Sequence, residues 1–314
     1  MRSHRIRSGP AGAVCAVTIV LVAAVWSAAA QKLSLAEAPA FRADSTLVLV
    51  PVAVVDRRGA VVNGLARDAF TLAEDGVRQQ IRTFSEEDAP VSIGIVLDLS
   101  GSMRGALGVA KESLRTLMKD VNPADEAFLN TVSTHPRAYS EFTHDFDAVL
   151  SRVAFESAGG DTALIDTIYG SLKELRSGIH ARKALLVISD GMDNHSRYSR
   201  GELLERAVES DAQIYTIAVG NAAPYAKPMQ MMEEKRGLLF LDELAAKTGG
   251  ISFAVRSGKE IADAAARIGQ ALRNQYVIGY APRGDDRGGR WHRITVKVAG
   301  SGTRAYAREG YRID

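Results

Sequence analysis

Cysteine is almost missing from this 314-residue chain: the single one, Cys15, lies within the first 31 residues. Disulfide staples and thiol nucleophiles are therefore excluded from everything that follows that segment. Histidine offers no metal centre. His135, His144, His180, His195 and His292 are scattered without a pair at metal-binding helical spacing, and His4 falls in the first segment; each of the five reads as a surface residue. Neither a G-x-S-x-G elbow nor an H-E-x-x-H helix occurs, which leaves a secreted hydrolase as the weakest functional class. Charge of one sign is lacking too. The formal net charge is +2, and the first 31 residues hold three arginines and no acid, so the remainder is close to neutral. Such a chain has no field to draw in nucleic acid or an anionic membrane. Internal repeats and low-complexity runs are absent.

What is present begins with an export signal. Arg2, Arg5 and Arg7 precede an uncharged stretch from Ala11 to Ala30, and Ala28-Ala29-Ala30 before Gln31 offers an A-x-A cleavage site. This reads as a secretory signal peptide over residues 1–31; left uncleaved, the stretch is long enough to anchor the chain in a membrane. Cys15 lacks a lipoprotein context and reads as a small apolar residue. The expected location is periplasmic, cell-surface or secreted. The rest, 46% hydrophobic and 24% charged over the whole chain, has the composition of a globular protein with one large domain or two modest ones.

Residues 32–44 show little periodicity and read as a linker. A strand over Ser45 to Val55 follows, with Pro51 suggesting an edge or bulge. Val61-Val62, Phe70-Thr71-Leu72 and Arg78 to Phe84 read as further short strands, with a turn at Glu74-Asp75-Gly76. These define an antiparallel β unit over residues 45–90. From Val91 strand and helix alternate: strands over 92–98, 126–132, 137–142, 183–189, 213–219 and 251–254, helices over 104–119, 145–152, 162–177, 200–210, 239–248 and 258–273. That rhythm predicts a doubly wound α/β fold with a mainly parallel sheet covered on both faces. Asn221 to Arg236 is the least regular stretch. Met229, Met231 and Met232 within it either line an adaptable contact surface or pack one amphipathic turn onto the core. Residues 274–314 return to β, with strands over Gln275–Tyr280, Trp291–Val298 and Thr303–Ala307 and a turn at Asp285-Asp286-Arg287-Gly288-Gly289. Two β units too small to stand alone are expected to pair into a sandwich around the α/β part.

The most informative stretch is Ile93-Gly94-Ile95-Val96-Leu97-Asp98-Leu99-Ser100-Gly101-Ser102-Met103. A buried parallel strand would carry Asp98 to its carboxyl end, where open α/β sheets place their sites. Asp98, Ser100 and Ser102 at alternating positions can aim three oxygens at one point, a donor set suited to a hard cation. Equally, Asp98 and Ser100 can simply cap the next helix. Two later segments share the pattern. Ala158-Gly159-Gly160-Asp161-Thr162 opens a helix after a glycine-rich loop, where Asp161 and Thr162 are candidate caps, and Ile188-Ser189-Asp190-Gly191 ends a strong strand, where Asp190 can initiate a turn. Asp193 and Asn194 beyond it either add outer-shell oxygens or, the preferred reading, form a polar surface loop.

Asp98-Leu99-Ser100-Gly101-Ser102 resembles the opening motif of the metal-ion-dependent adhesion site of the von Willebrand factor type A domain, and the segments around Thr162 and Asp190 resemble that family's second and third motifs. The resemblance spans residues 91–273. Flanking features at Glu74-Asp75-Gly76, Leu244 to Gly250 and Gln275 to Tyr280 resemble a bacterial secreted subgroup. The resemblance implies a von Willebrand type A domain over 91–273, flanked by a small β-sandwich. It also implies a metal site of Asp98, Ser100, Ser102, Thr162 and Asp190 holding Mg²⁺, with Mn²⁺ or Ca²⁺ as substitutes, and no catalytic residues. Such a site leaves one position for an Asp or Glu carboxylate of a protein partner. The competing reading is a structural component of a cell-envelope assembly in which metal is incidental. The sequence implies no nucleic-acid partner, and leaves the oligomeric state open.

Overall fold

The computed structural model describes residues 47–119, 121–133, 137–138, 141–220, 227–282 and 289–312. The segments read as signal peptide and linker, Cys15, His135 and most of the turn at 285–289 lie outside the described residues.

The chain opens with strand β1 (Val48–Val55), then β2 (Phe70–Glu74), β3 (Val77–Gln79) and β4 (Ile81–Glu87). Asp75 and Gly76, both at positive φ (49° and 81°), close the β2–β3 hairpin as a two-residue Asp-Gly turn, the loop whose twist matches paired strands. Two expectations are corrected here. Val61 forms only an isolated bridge to Val55, and the run from Arg78 is split, because β3 and β4 belong to different sheets.

The α/β layer comprises β5 (Val91–Asp98), α1 (Leu107–Lys119), β6 (Glu126–Val132), β7 (Arg137–Ala138), α2 (Phe146–Ala154), α3 (Leu164–Leu175), β8 (Arg182–Ser189), α4 (Arg200–Glu209), β9 (Gln213–Val219), α5 (Pro228–Thr248), β10 (Ser252–Val255) and α6 (Gly258–Arg273). Its sheet has the order β10-β9-β8-β5-β6-β7, parallel except for the short edge strand β7. All eight residues of β5 are buried, as a central strand covered on both faces requires. Ile93, Ile95 and Leu97 share one core with α1 and α6, while Val96, Leu185 and Val187 share the other with α3, α4 and α5. Among the described residues no helix is long and apolar enough to cross a membrane.

The helix expected over 239–248 begins eleven residues earlier, at Pro228. Proline is suited to a first helical turn, where its missing N–H has no partner to lose. The reading of Met229, Met231 and Met232 as core packing is therefore corrected: they stand on the first turns of α5, 64%, 56% and 49% exposed. The helix expected from Arg104 is also corrected, since a 3-10 turn over Gly101–Gly105 precedes α1.

The chain returns to β with β11 (Gln275–Tyr280), β12 (Trp291–Val298), β13 (Arg304–Tyr306) and β14 (Gly310–Arg312). Two four-stranded antiparallel sheets result, β13-β1-β11-β4 and β14-β12-β2-β3. Each mixes strands from both ends of the chain, and they share a core of Val50, Val52, Leu72, Tyr276, Ile278 and Ile294. The sandwich is built as the sequence suggested. β13 pairs only with Ala53–Val55, so at Pro51 one side of β1 is unpaired and the missing N–H is tolerated. Alternate residues of β1 serve different layers: Val50, Val52 and Val54 enter the sandwich core, Ala53 and Val55 the α/β core.

Candidate functional site

The strand order reverses between β5 and β8: the chain leaves β5 toward β6 and leaves β8 toward β9. Open α/β sheets bind ligands in the crevice at such a reversal, outside the carboxyl ends of the strands. Asp98 is the last residue of β5, and Asp190 directly follows the last residue of β8.

The Asp98 carboxylate is fully buried. Its Oδ1 accepts the Ser100 backbone N–H at 2.8 Å, and its Oδ2 accepts the Ser189 hydroxyl at 2.6 Å. Burial pushes the Asp98 carboxyl up to about 6, the neighbouring Asp190 charge adds to the rise, and hydrogen bonds from Ser100 and Ser189 oppose it. Ser100 and Ser102 share a hydrogen bond of 3.0 Å between hydroxyls, with Ser100 buried and Ser102 open to solvent. Ser100 does occupy the cap position of the 3-10 turn, but its side chain makes no capping hydrogen bond.

Asp190 is also buried. Its Oδ1 accepts the Met192 N–H at 3.0 Å, which satisfies the turn reading for one oxygen. Its Oδ2 is buried without a hydrogen-bond partner among the described residues, a costly state for a carboxylate. Among the described residues neither Asp98 nor Asp190 makes an ion pair. Gly191 has φ 74°, and a Cβ on it would collide with the backbone of Gly237 on α5. The loop bearing Asp190 is thus seated directly on that helix with no side chain between.

Thr162 is 4% exposed and sits just before α3. Its loop is tied to the first motif by Gly159 N–H donating to Leu99 O at 2.7 Å and Gly101 N–H donating to Gly160 O at 3.4 Å. It is tied to the third motif as well. Thr162 N–H donates to Asn194 Oδ1 at 2.9 Å, while the N–H groups of Asn194 and His195 donate to the Thr162 carbonyl at 3.0 and 3.1 Å. The capping reading of Asp161 and Thr162 is overturned. Ala163 holds the cap position without a side-chain hydrogen bond, and α3's first amides are satisfied across space: Asp193 Oδ1 accepts from Ile165 at 3.1 Å and Ser196 Oγ from Asp166 at 3.0 Å. The three motifs therefore meet at one edge of the sheet.

Sequence reasoning missed Ser189 and undervalued Asp193 and Asn194. Ser189 was visible only as the residue before Asp190; nothing in its spacing shows that it faces Asp98 across two strands. The histidine reading is corrected at one position: His292 is buried in the sandwich, stacked on Tyr311 with its Nδ1 3.1 Å from Asp75 Oδ2. His144 and His180 bond backbone carbonyls.

Among the described residues no group of three or more His, Cys, Asp or Glu stands ready for a metal. A cation here would rest on two carboxylates and neutral hydroxyls. The donor set fits a hard ion, and the unpartnered Asp190 Oδ2 beside the buried Asp98 is what a cation would relieve.

A doubly wound sheet with a cluster of hydroxyls and acids at its reversal point defines the class. Residues 93–192, which lie within the α/β layer, match the model of the von Willebrand factor type A domain. No curated protein matches. Among solved structures, the chain is similar to a von Willebrand factor type A protein from Catenulispora acidiphila, with 14% identity, 87% of this chain and 74% of that one covered, and a TM-score of 0.49. It is also similar to the vWF domain of the type V pili tip protein Mfa5 from Porphyromonas gingivalis, at 12% identity, 59% and 95% coverage, and a TM-score of 0.46. A third is an aerotolerance-related membrane protein from Bacteroides fragilis NCTC 9343, at 17% identity, 58% and 98% coverage, and a TM-score of 0.45.

Proposed function

We propose that this protein is an exported, non-enzymatic binding module in which Asp98, Ser100, Ser102, Thr162 and Asp190 hold Mg²⁺, and the ion captures an acidic side chain of a partner protein. The observation that carries this reading is the pair of buried carboxylates at the sheet's reversal point, which make no ion pair among the described residues, one of them with an oxygen that has no hydrogen-bond partner there. Three neutral hydroxyls in direct contact, with Asp98 and Asp190 acting partly through bridging waters, would leave the ion electropositive with one position open, which attracts a further carboxylate. When bound, the ion supplies electrostatic adhesion and nothing else. The chain's own residues supply the rest: Ser189 and the Ser100 amide fix the Asp98 carboxylate, and the Met192 amide fixes that of Asp190. Met229, Met231 and Met232 on the rim offer polarizable, adaptable contact around the captured acid.

Isothermal titration of purified protein with MgCl₂ tests the metal reading. One ion per chain is expected for the wild type and none for Asp98→Ala or Thr162→Ala, with both variants folded by circular dichroism. Equal affinity in the variants contradicts the site. Capture of envelope proteins in Mg²⁺ and in excess chelator tests the partner reading; capture undiminished by chelator favours a scaffold with incidental metal.

A further inference from the structure

We propose that Asn194 is a positioning residue for the metal site: it fixes Thr162 in register with Asp190, so that the second and third motifs present their oxygens as one unit. This rests on the metal reading above. Asn194 meets Thr162 at both of the peptide groups that flank it. Its Oδ1 accepts the Thr162 N–H at 2.9 Å, and its own N–H donates to the Thr162 carbonyl at 3.0 Å. A residue clamped through both its amide and its carbonyl cannot slide along its loop or rotate about the chain axis. Asn194 lies four residues beyond Asp190, and Met192 between them is itself held by Asp190 Oδ1. The clamp therefore links the two motifs over a short, hydrogen-bonded path.

The remainder of the same loop makes a different kind of contact. Asp193 and Ser196 satisfy amides of α3, and Asp166 Oδ1 accepts from Arg197 and Tyr198 N–H at 2.9 and 3.1 Å. These bonds fasten the loop to the helix and leave the Thr162 peptide alone. Asn194 is the member of the loop whose side chain acts on the proposed ligand itself. Partners of this kind orient metal ligands, and their loss weakens metal affinity even where the fold survives.

The test compares Asn194→Ala, Asn194→Asp and Ser196→Ala in the full chain, titrated with MgCl₂ in a calorimeter and followed metal-free by amide hydrogen exchange. Asn194→Ala is expected to weaken Mg²⁺ roughly tenfold or more and to speed exchange at the Thr162 amide. Asn194→Asp, which keeps the acceptor, is expected to restore affinity to within about threefold of the wild type. Ser196→Ala is expected to lower the melting temperature while leaving Mg²⁺ affinity unchanged. Wild-type affinity in Asn194→Ala overturns the positioning role and leaves the metal site standing, and equal losses in Asn194→Ala and Ser196→Ala overturn it in favour of general loosening. Absence of Mg²⁺ binding in the wild type overturns both readings together.

Discussion

Two edges of one parallel sheet each bury aspartate, and they treat it in opposite ways. At the amino edge, Asp125 is fully buried and fully satisfied. Its Oδ1 accepts the Val91 N–H at 2.8 Å, and its Oδ2 accepts the Asn122 N–H at 2.9 Å and the Arg273 guanidinium at 2.5 Å. Arg273, the last residue of α6, also reaches Asp88 at 3.2 Å, fastening the helix to the segment that enters β5. At the carboxyl edge Asp98 and Asp190 are as deeply buried, repel one another, and lack a cation among the described residues. The first aspartate is structural: its charge is balanced by a side chain the fold itself provides. The second pair has no such partner among the described residues, and that asymmetry is what supports the proposal that an ion binds at this edge.

The largest effect expected from breaking the contrast lies at the amino edge. Arg273→Ala strands the Asp125 charge and should cost about 3–5 kcal/mol in urea unfolding, with Mg²⁺ making no difference to the loss. At the carboxyl edge the pattern should invert. Asp190→Ala removes a repelling, half-satisfied acid, so the metal-free protein should be no less stable. What disappears is the gain of about 2.7 kcal/mol that Mg²⁺ at a hundred times its Kd gives the wild type, read as a melting-temperature shift. Gly237→Val drives a branched side chain into the Asp190 backbone; overpacking there should cost about 1–3 kcal/mol, and it should weaken Mg²⁺ as well, unlike Arg273→Ala.

The smallest effect concerns pH. Asp166 is held below its ordinary value of 3.8: partial burial raises it, and the N–H groups of Tyr198 and Arg197 and the Arg197 guanidinium outweigh that. Between the lowered folded value and the unfolded one, the unfolded chain binds more protons, so stability rises with pH across that window. The contribution is complete above the unfolded value and fades as pH falls below about 4. Asp166→Asn should flatten that part of the acid limb of a stability–pH curve and leave the neutral region nearly unchanged in slope.

Much of this organisation was legible in the sequence, and what was not has a physical cause. β6, β9, α6, β11 and β12 begin and end where their periodicity placed them, because each is a long, strongly patterned element whose packing agrees with its local preference. α5 was cut short because its first turns carry exposed methionines and no apolar stripe; a helix that projects beyond the core has no pattern to betray it. The split of Val77–Glu87 into strands of two sheets was hidden for a related reason, since alternation survives the crossing. At the site, spacing nominated Asp98, Ser100 and Ser102, and a family resemblance was needed for Thr162 and Asp190. The supports, Ser189 and Asn194, act across the chain over 91 and 32 residues, and no local window records contacts of that separation.

On the reading proposed above, the carboxyl edge holds a divalent ion through Asp98, Ser100, Ser102, Thr162 and Asp190. Anomalous diffraction from crystals soaked in Mn²⁺ tests it most directly. A single peak should appear roughly 2.0–2.2 Å from the Ser100 and Ser102 hydroxyl oxygens, beside Asp98 and Asp190, with at least one coordination position held by water or by a neighbour's carboxylate. A protein that binds no Mn²⁺ there, or binds it elsewhere, contradicts the account.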